Sequence, residues 1–223
     1  MDARVFVKAT ATVVVLALLA AAAWWGYRAV KRSELQTAAL ELVQESTSRL
    51  HEALGLITAG SEIRTRLEQN YDAVQEGVRK IQALDESLDP ALVRACEAYL
   101  TDVDAFLRRQ IDSHKARDAL RADIGELAAH IRAAGDRSGD WIKRALELKS
   151  RMEKDFFDYR FAAGGLDKSF GALLETRKGF DPLGVRASVV GEPLLGEAQQ
   201  HMQAATARLA AEVEAARKLP VPR

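Results

Sequence analysis

Apolar positions along this chain fall into two regimes. From Ala9 to Tyr27 they are continuous: the run carries no charge and is bracketed by Arg4 and Lys8 before it and by Arg28, Lys31 and Arg32 after it. At about 1.5 Å per residue such a run makes a helix of roughly 28 Å, which matches a hydrocarbon core about 30 Å thick once the flanking basic side chains snorkel. The pattern predicts a transmembrane helix over 9–28 behind a short tail, 1–8. Its basic start and the small residues Ala20 to Ala23 resemble a secretory signal. Apolar character persists through Trp24, Trp25, Gly26 and Tyr27, however, beyond a typical signal core, so the segment reads as a retained anchor. Trp24, Trp25 and Tyr27 then form an interfacial aromatic belt, or pack on a partner. Ala17 with Ala21, and Ala22 with Gly26, are small-xxx-small pairs that let another transmembrane helix approach closely.

After the anchor the apolar residues recur at helical spacing. Val43, Leu50 and Ile57, interleaved with Leu40, Thr47 and Leu54, predict a helix from Ser33 to Ala59. Ser33 with Gln36 offers a capping box for a fresh start, and a rod running unbroken out of the anchor fits equally, since no proline intervenes. Gly60 and Ser61 read as a helix stop and a new N-cap. Leu67, Val74, Ile81 and Leu88, with Tyr71 and Val78, mark the next helix. Asp89 before Pro90 is the clearest punctuation in the chain: a capping carboxylate followed by a residue whose missing N–H is harmless at the first helical position.

The helix that begins there carries Val93, Cys96, Leu100, Val103, Phe106, Leu107 and Ile111 on one stripe. Then the pattern fails. Continuing the heptad places Gln110, His114, Arg117 and Arg121 on the buried seam, so residues 112–118 are either a loop or a polar turn that leaves the core. The stripe returns at Ile124, Leu127, Ala128 and Ile131, and Gly135 to Gly139 is a loop. Asp140 caps a helix with Trp141, Ala145, Leu148, Met152 and Phe156 inward as far as Ala163, and Phe156, Phe157, Tyr159 and Phe161 suggest an end covered on several sides. Glycines concentrate in 164–196, which reads as an irregular segment around a short helical stretch at Asp167 to Lys178. A last helix from Pro193 to Lys218 shows Leu195, Ala198, Met202, Ala205, Leu209 and Val213, and 219–223 is a tail.

The expected fold is therefore all-α: one N-terminal transmembrane helix, then an extramembrane antiparallel bundle over 29–218, with about four long helices and a short Gly-rich helical segment. Helices of about 25 residues give a body roughly 40 Å tall. Composition agrees, being rich in Ala, Leu, Glu and Arg. The 32 basic and 32 acidic side chains cancel, which argues against nucleic acid as a partner.

No stretch carries a recognisable chemistry. Glu126 and His130, four apart, stand at the edge of the apolar face and read as a surface pair; His51, His114 and His201 stand in polar neighbourhoods and read as solvated. Cys96, the single cysteine, lies on an apolar stripe and reads as a small buried hydrophobe. Gly164 to Ser169 lacks phosphate-loop spacing. No catalytic residue, metal ligand or cofactor is expected, and the chain reads as non-enzymatic.

Two surfaces remain as candidates: the anchor face, and a partner or ligand surface drawn from Tyr71, Gln110, His114, Arg117, Phe157, Tyr159 and Phe161. The expected partners are the lipid bilayer and other membrane subunits, either in a hetero-complex or in a homodimer through the transmembrane helix. The expected place is the inner membrane of a bacterium, with the bulk of the chain in the periplasm. Function then divides between an anchored scaffold or accessory subunit and a helical sensory module that takes a small-molecule ligand and signals through a separate membrane partner.

Overall fold

The computed structural model describes the backbone of residues 3–57, 63–133 and 139–220, and the side chains of these from Leu18 onward. Among the described residues there are five α-helices and no strand: α1 (Ala3–Gly55), α2 (Arg64–Gln82), α3 (Pro90–Arg132), α4 (Gly139–Lys178) and α5 (Glu192–Arg217). The two loops expected around Gly60 and Gly135 lie mostly in 58–62 and 134–138, outside the described residues.

The spine is the hairpin of α3 and α4, which run antiparallel for their whole length. Tyr99 meets Phe180 edge-on at 5.9 Å between ring centroids, Phe106 meets Phe170 at 5.1 Å, and near the closed end His130 stacks on Trp141 at 5.0 Å. That end is tied further by two side chain to backbone hydrogen bonds, from Trp141 Nε1 to the His130 carbonyl and between His130 Nε2 and the Trp141 carbonyl. On the first half of this spine lie α2, antiparallel to α3, and the body of α1, parallel to it. Gly77 marks the closest approach, because a Cβ there would meet Ser46 Oγ at 3.3 Å and Leu100 Cδ2 at 3.4 Å. Helix α5 runs back along α4, with Tyr159 sharing a hydrogen bond with Thr206.

Two apolar cores result. The larger joins α1, α2, the first half of α3 and the end of α4, around Val43, Leu50, Leu67, Leu100, Phe106 and Phe170. The smaller joins the second half of α3, the first half of α4 and the end of α5, around Leu120, Leu127, Leu148, Met152, Leu209 and Val213. Cys96 is fully buried in the larger core, where burial pushes its thiol up to about 12.

Several boundaries differ from expectation. Of the two alternatives at Ser33 the unbroken rod is the one observed: helix α1 runs without interruption through it, and Gln36 reaches out to Asp89 instead of closing a capping box. Residues 112–118 are a polar helical turn and not a loop, and they stay in the bundle, because α3 is continuous from Pro90 to Arg132 and longer than the expected 25 residues. Asp140 sits inside the first turn of α4 rather than before it.

Helix α4 does not end at Ala163 but passes through Gly164, Gly165 and Gly171 to Lys178, so only 179–191 of the expected irregular segment is irregular. Each helical glycine costs about 1 kcal/mol relative to alanine. Burial of Leu166, Phe170 and Leu173 against α3 outweighs it, and Arg109 donates to the Gly165 carbonyl at 3.3 Å and to Ser169 Oγ at 2.7 Å across the weak point. The chain then turns through Gly184, at φ 63°, the left-handed region that glycine tolerates. It returns as an extended strap whose Val190 N–H donates to Tyr99 Oη.

Asp89 caps α3 as its Asp-Pro signature predicts, accepting from the Leu92 N–H at 3.4 Å. It also accepts from Arg32 Nε at 3.0 Å and Gln36 Nε2 at 2.8 Å, which fastens α1 to the start of α3. Burial alone would raise this carboxyl, but the hydrogen bonds from Gln36, Arg32 and Leu92 outweigh it and hold it below the ordinary carboxylate range. Asp89→Ala removes cap and clamp together and is expected to lower stability by about 2 kcal/mol, read from urea unfolding of the full chain in detergent by circular dichroism. The contribution is complete at neutral pH and fades as the pH falls through the depressed folded pKa, so the gap between wild type and variant narrows in acid. A gap that stays constant down to strong acid would show that the charge of Asp89 contributes nothing.

Candidate functional site

Where α1 stops, the inward face of α3 becomes polar. Gln110 is fully buried, and its Nε2 donates to the Ala53 carbonyl at 2.7 Å, satisfying one of the last carbonyls of α1. One turn on, His114 and Arg117 are 5% and 6% exposed, so the heptad extrapolation places both correctly; reading His114 as solvated is overturned. Arg121, also extrapolated to the seam, is exposed, since the helix rotates it past the edge of α5.

Arg117 Nη2 lies 2.7 Å from His114 Nδ1. A guanidinium has donors only, so Nδ1 is the acceptor and the proton of the neutral imidazole sits on Nε2. Burial, and then the charge of Arg117, push this histidine down to about 4, with Asp118 opposing. His114 and Arg117 line a cavity of about 20 Å³ with Ile57, Ser113, Tyr159 and Met202, room for one water that would meet the Nε2–H. Arg117 Nε stands 3.5 Å from the Asp118 carboxylate. Its guanidinium is thus oriented on two sides by its own helix.

On the outer side of Arg117, α3 and α5 enclose a groove of about 430 Å³. Arg117 and Arg121 supply one wall; His201, Arg208 and Glu212 on α5 supply the other, with Ala204, Ala205 and Leu209 between them. Small side chains at 204 and 205 keep the helices from filling this space. Chemically the arrangement is a buried guanidinium beside two exposed ones, suited to holding an oxyanion.

The other expected residues separate. Tyr71 is half-buried on α2, its hydroxyl accepting from Gln75 at 2.6 Å; it lines a different groove with Glu68, Asp72, Arg108, Asp112 and Lys115, on another face of the α3 turns that carry Gln110 and His114. Tyr159 is buried beneath α5 and is no part of a surface, which corrects its grouping with Phe157 and Phe161. Those two are 70% and 79% exposed, so this part of α4 is covered by α3 and α5 while its outer face stays open. With Leu146 they share one outward stripe.

Of the anchor residues, the Ala17 side chain lies outside the described residues, while Ala21, Ala22, Trp24, Trp25, Gly26 and Tyr27 are all exposed on α1. Glu126 is indeed at the surface, but it pairs with Arg144 and Arg151 across the hairpin and not with His130. Among the described residues no group of three or more histidines, cysteines or carboxylates stands where it would hold a metal ion.

Residues 201, 208 and 212 were not among the expected site residues. Their signal is present as seven- and four-residue spacing along one face of α5, yet which helix faces them is a tertiary fact. No protein family, no curated protein and no solved structure matches the chain.

The folded pKa of His114 lies below that of a free imidazole, so its neutral form stabilises the fold fully above about pH 6.5, and this is lost as the pH falls towards the folded value. Wild type is expected to lose on the order of 2 kcal/mol between those limits, and His114→Gln to lose clearly less over the same interval. Urea unfolding at a series of pH values checks this. Equal losses in the two proteins would place the effect elsewhere.

Proposed function

We propose that the protein is a membrane-anchored, non-enzymatic scaffold or accessory subunit of a larger membrane complex, held by α1 in a bacterial inner membrane with the bundle on the periplasmic side. One observation carries the reading. From Leu18 to Val30 every side chain of α1 is exposed, Leu18, Leu19, Trp24 and Trp25 by 61–75%, because the helix projects beyond the bundle. A helix that is apolar all round is stable where lipid or other helices cover it. Residues 9–17, which extend the run, have side chains outside the described residues, and among those described no helix is long and apolar enough to cross a membrane. The described part, Leu18 to Tyr27, gives roughly 15 Å of helix, about half a bilayer core.

The basic collar supports a rigid exit from such an anchor. Arg28 donates to the Ser87 carbonyl at 3.4 Å and Arg32 to Asp89, so the residues just past the apolar run are fastened to the turn between α2 and α3. The outward stripe of Phe157, Phe161 and Leu146 on α4 supplies a second apolar surface for docking a partner subunit.

The full chain is expected in the membrane fraction, resistant to high salt and alkaline carbonate, and Leu18→Arg with Leu19→Arg is expected to release it with the bundle still folded. A chain recovered from the soluble fraction as a lone monomer would sink the proposal. Phe157→Ser with Phe161→Ser is expected to change stability by less than about 0.5 kcal/mol while reducing co-purification of partner subunits in mild detergent. A ligand-binding module is the second reading, favoured by the convergence of Arg117, Arg121, Arg208 and His201 on one groove.

A further inference from the structure

We propose that the groove between α3 and α5 binds a small organic carboxylate, with Arg117 as its fixed charge partner and Arg121 and Arg208 closing on it from the two walls. The inference deepens the ligand-binding reading and is independent of how the chain is anchored, because every residue it uses lies in the bundle.

Arginines of this chain stand in two kinds of surroundings. Several arginines of the described surface are neutralised across helix boundaries: Arg32 by Asp89, Arg94 by Glu86, Arg144 by Glu126, Arg151 by Asp123, Arg177 by Glu192 and Arg217 by Glu153, while others, such as Arg49 and Arg186, stand singly among the described residues. Arg121 and Arg208 face one cavity, and neither has a hydrogen bond or ion pair among the described residues. A protein of zero formal net charge has thus placed three guanidiniums and the His201 imidazole around one concavity, against Glu212 as the acid lining it.

Arg117 makes the arrangement more than a charged patch. Its side chain is 8% exposed, bonded to His114 at 2.7 Å and 3.5 Å from the Asp118 carboxylate, so less of its ordering is left for a ligand to impose. Behind it His114 is kept neutral, so it adds no competing charge of its own. Planar guanidinium forks match a carboxylate in bidentate geometry. The volume, about 430 Å³, suits a small metabolite, and Ala204, Ala205 and Leu209 offer an apolar wall to its hydrocarbon part, which inorganic phosphate would not use.

The test is isothermal titration of the full chain in detergent micelles, at constant ionic strength, with acetate, succinate, citrate, benzoate and inorganic phosphate. Saturable one-site binding of at least one carboxylate at up to millimolar concentration is expected. Arg121→Ala and Arg208→Ala, both at exposed and unpaired positions, should keep the wild-type melting curve and each weaken that binding by roughly tenfold. Arg94→Ala, remote from the groove, should leave it unchanged. Absence of saturable binding by any carboxylate, or binding by phosphate alone, overturns the proposal. Carboxylate binding that survives in the Arg121→Ala, Arg208→Ala double variant also overturns this site, while leaving the broader ligand-binding reading in place.

Discussion

Helix α3 outruns the helices that cover its first half. Up to Gln110 its inward face meets α1 and α2 and is apolar; α1 then ends at Gly55, and α3 continues to Arg132 with α4 and α5 as neighbours. A helix end exposes carbonyls without intrahelical partners, and burying it demands donors. The Ala53 carbonyl accepts from the Leu56 N–H at 3.0 Å and takes Gln110 as a second donor, and the polar layer of Ser113, His114 and Arg117 follows one turn later. The division into two cores, the small cavity at their junction and the groove beside α5 all descend from this mismatch in helix length.

Burying a guanidinium is costly unless it is paired and hydrogen-bonded. Here the protein reduces the cost by letting one edge of Arg117 face the groove while His114 and Asp118 hold it. The same economy appears lower in the hairpin, where Asp123, 5% exposed, accepts from Arg151 at 2.7 Å while Arg151 also reaches Glu126 at the surface. Burial and the charge of Asp123 push Asp155 up beside it. Polar groups inside this bundle therefore sit within reach of its boundary, and a boundary position is where a buried charge remains available for binding.

At the other end, the junction with the projecting part of α1 is stiff. No loop separates it from the bundle, and Asp89 receives Arg32 and Gln36 while serving as the N-cap of α3. A displacement of the projecting helix would be passed to the first turn of the spine rather than absorbed by a linker. Such rigidity is what the proposed scaffold role would require.

The helices themselves were legible in the sequence, because the stripes at Leu67–Val74–Ile81, Cys96–Leu100–Val103 and Leu195–Met202–Leu209 encode buried faces at helical period, and Asp89 with Pro90 encodes a cap locally. Where local rules disagreed with the fold, burial decided. Gly164, Gly165 and Gly171 read as a break, yet the apolar side chains between them pack on α3 for more than the glycines cost. The polar run 112–118 read as a loop or a departure, since a heptad seam is judged by its side chains and those here are polar. Only the end of α1 against Gln110 and the Arg117–His114 contact make them acceptable inside. Periodicity along one helix reports that a face is buried or exposed, and that much the chain determined alone. Which helix lies opposite, and hence that Arg121 of α3 and Arg208 of α5 confront the same groove, depends on helix lengths and crossings that no single stretch of sequence contains.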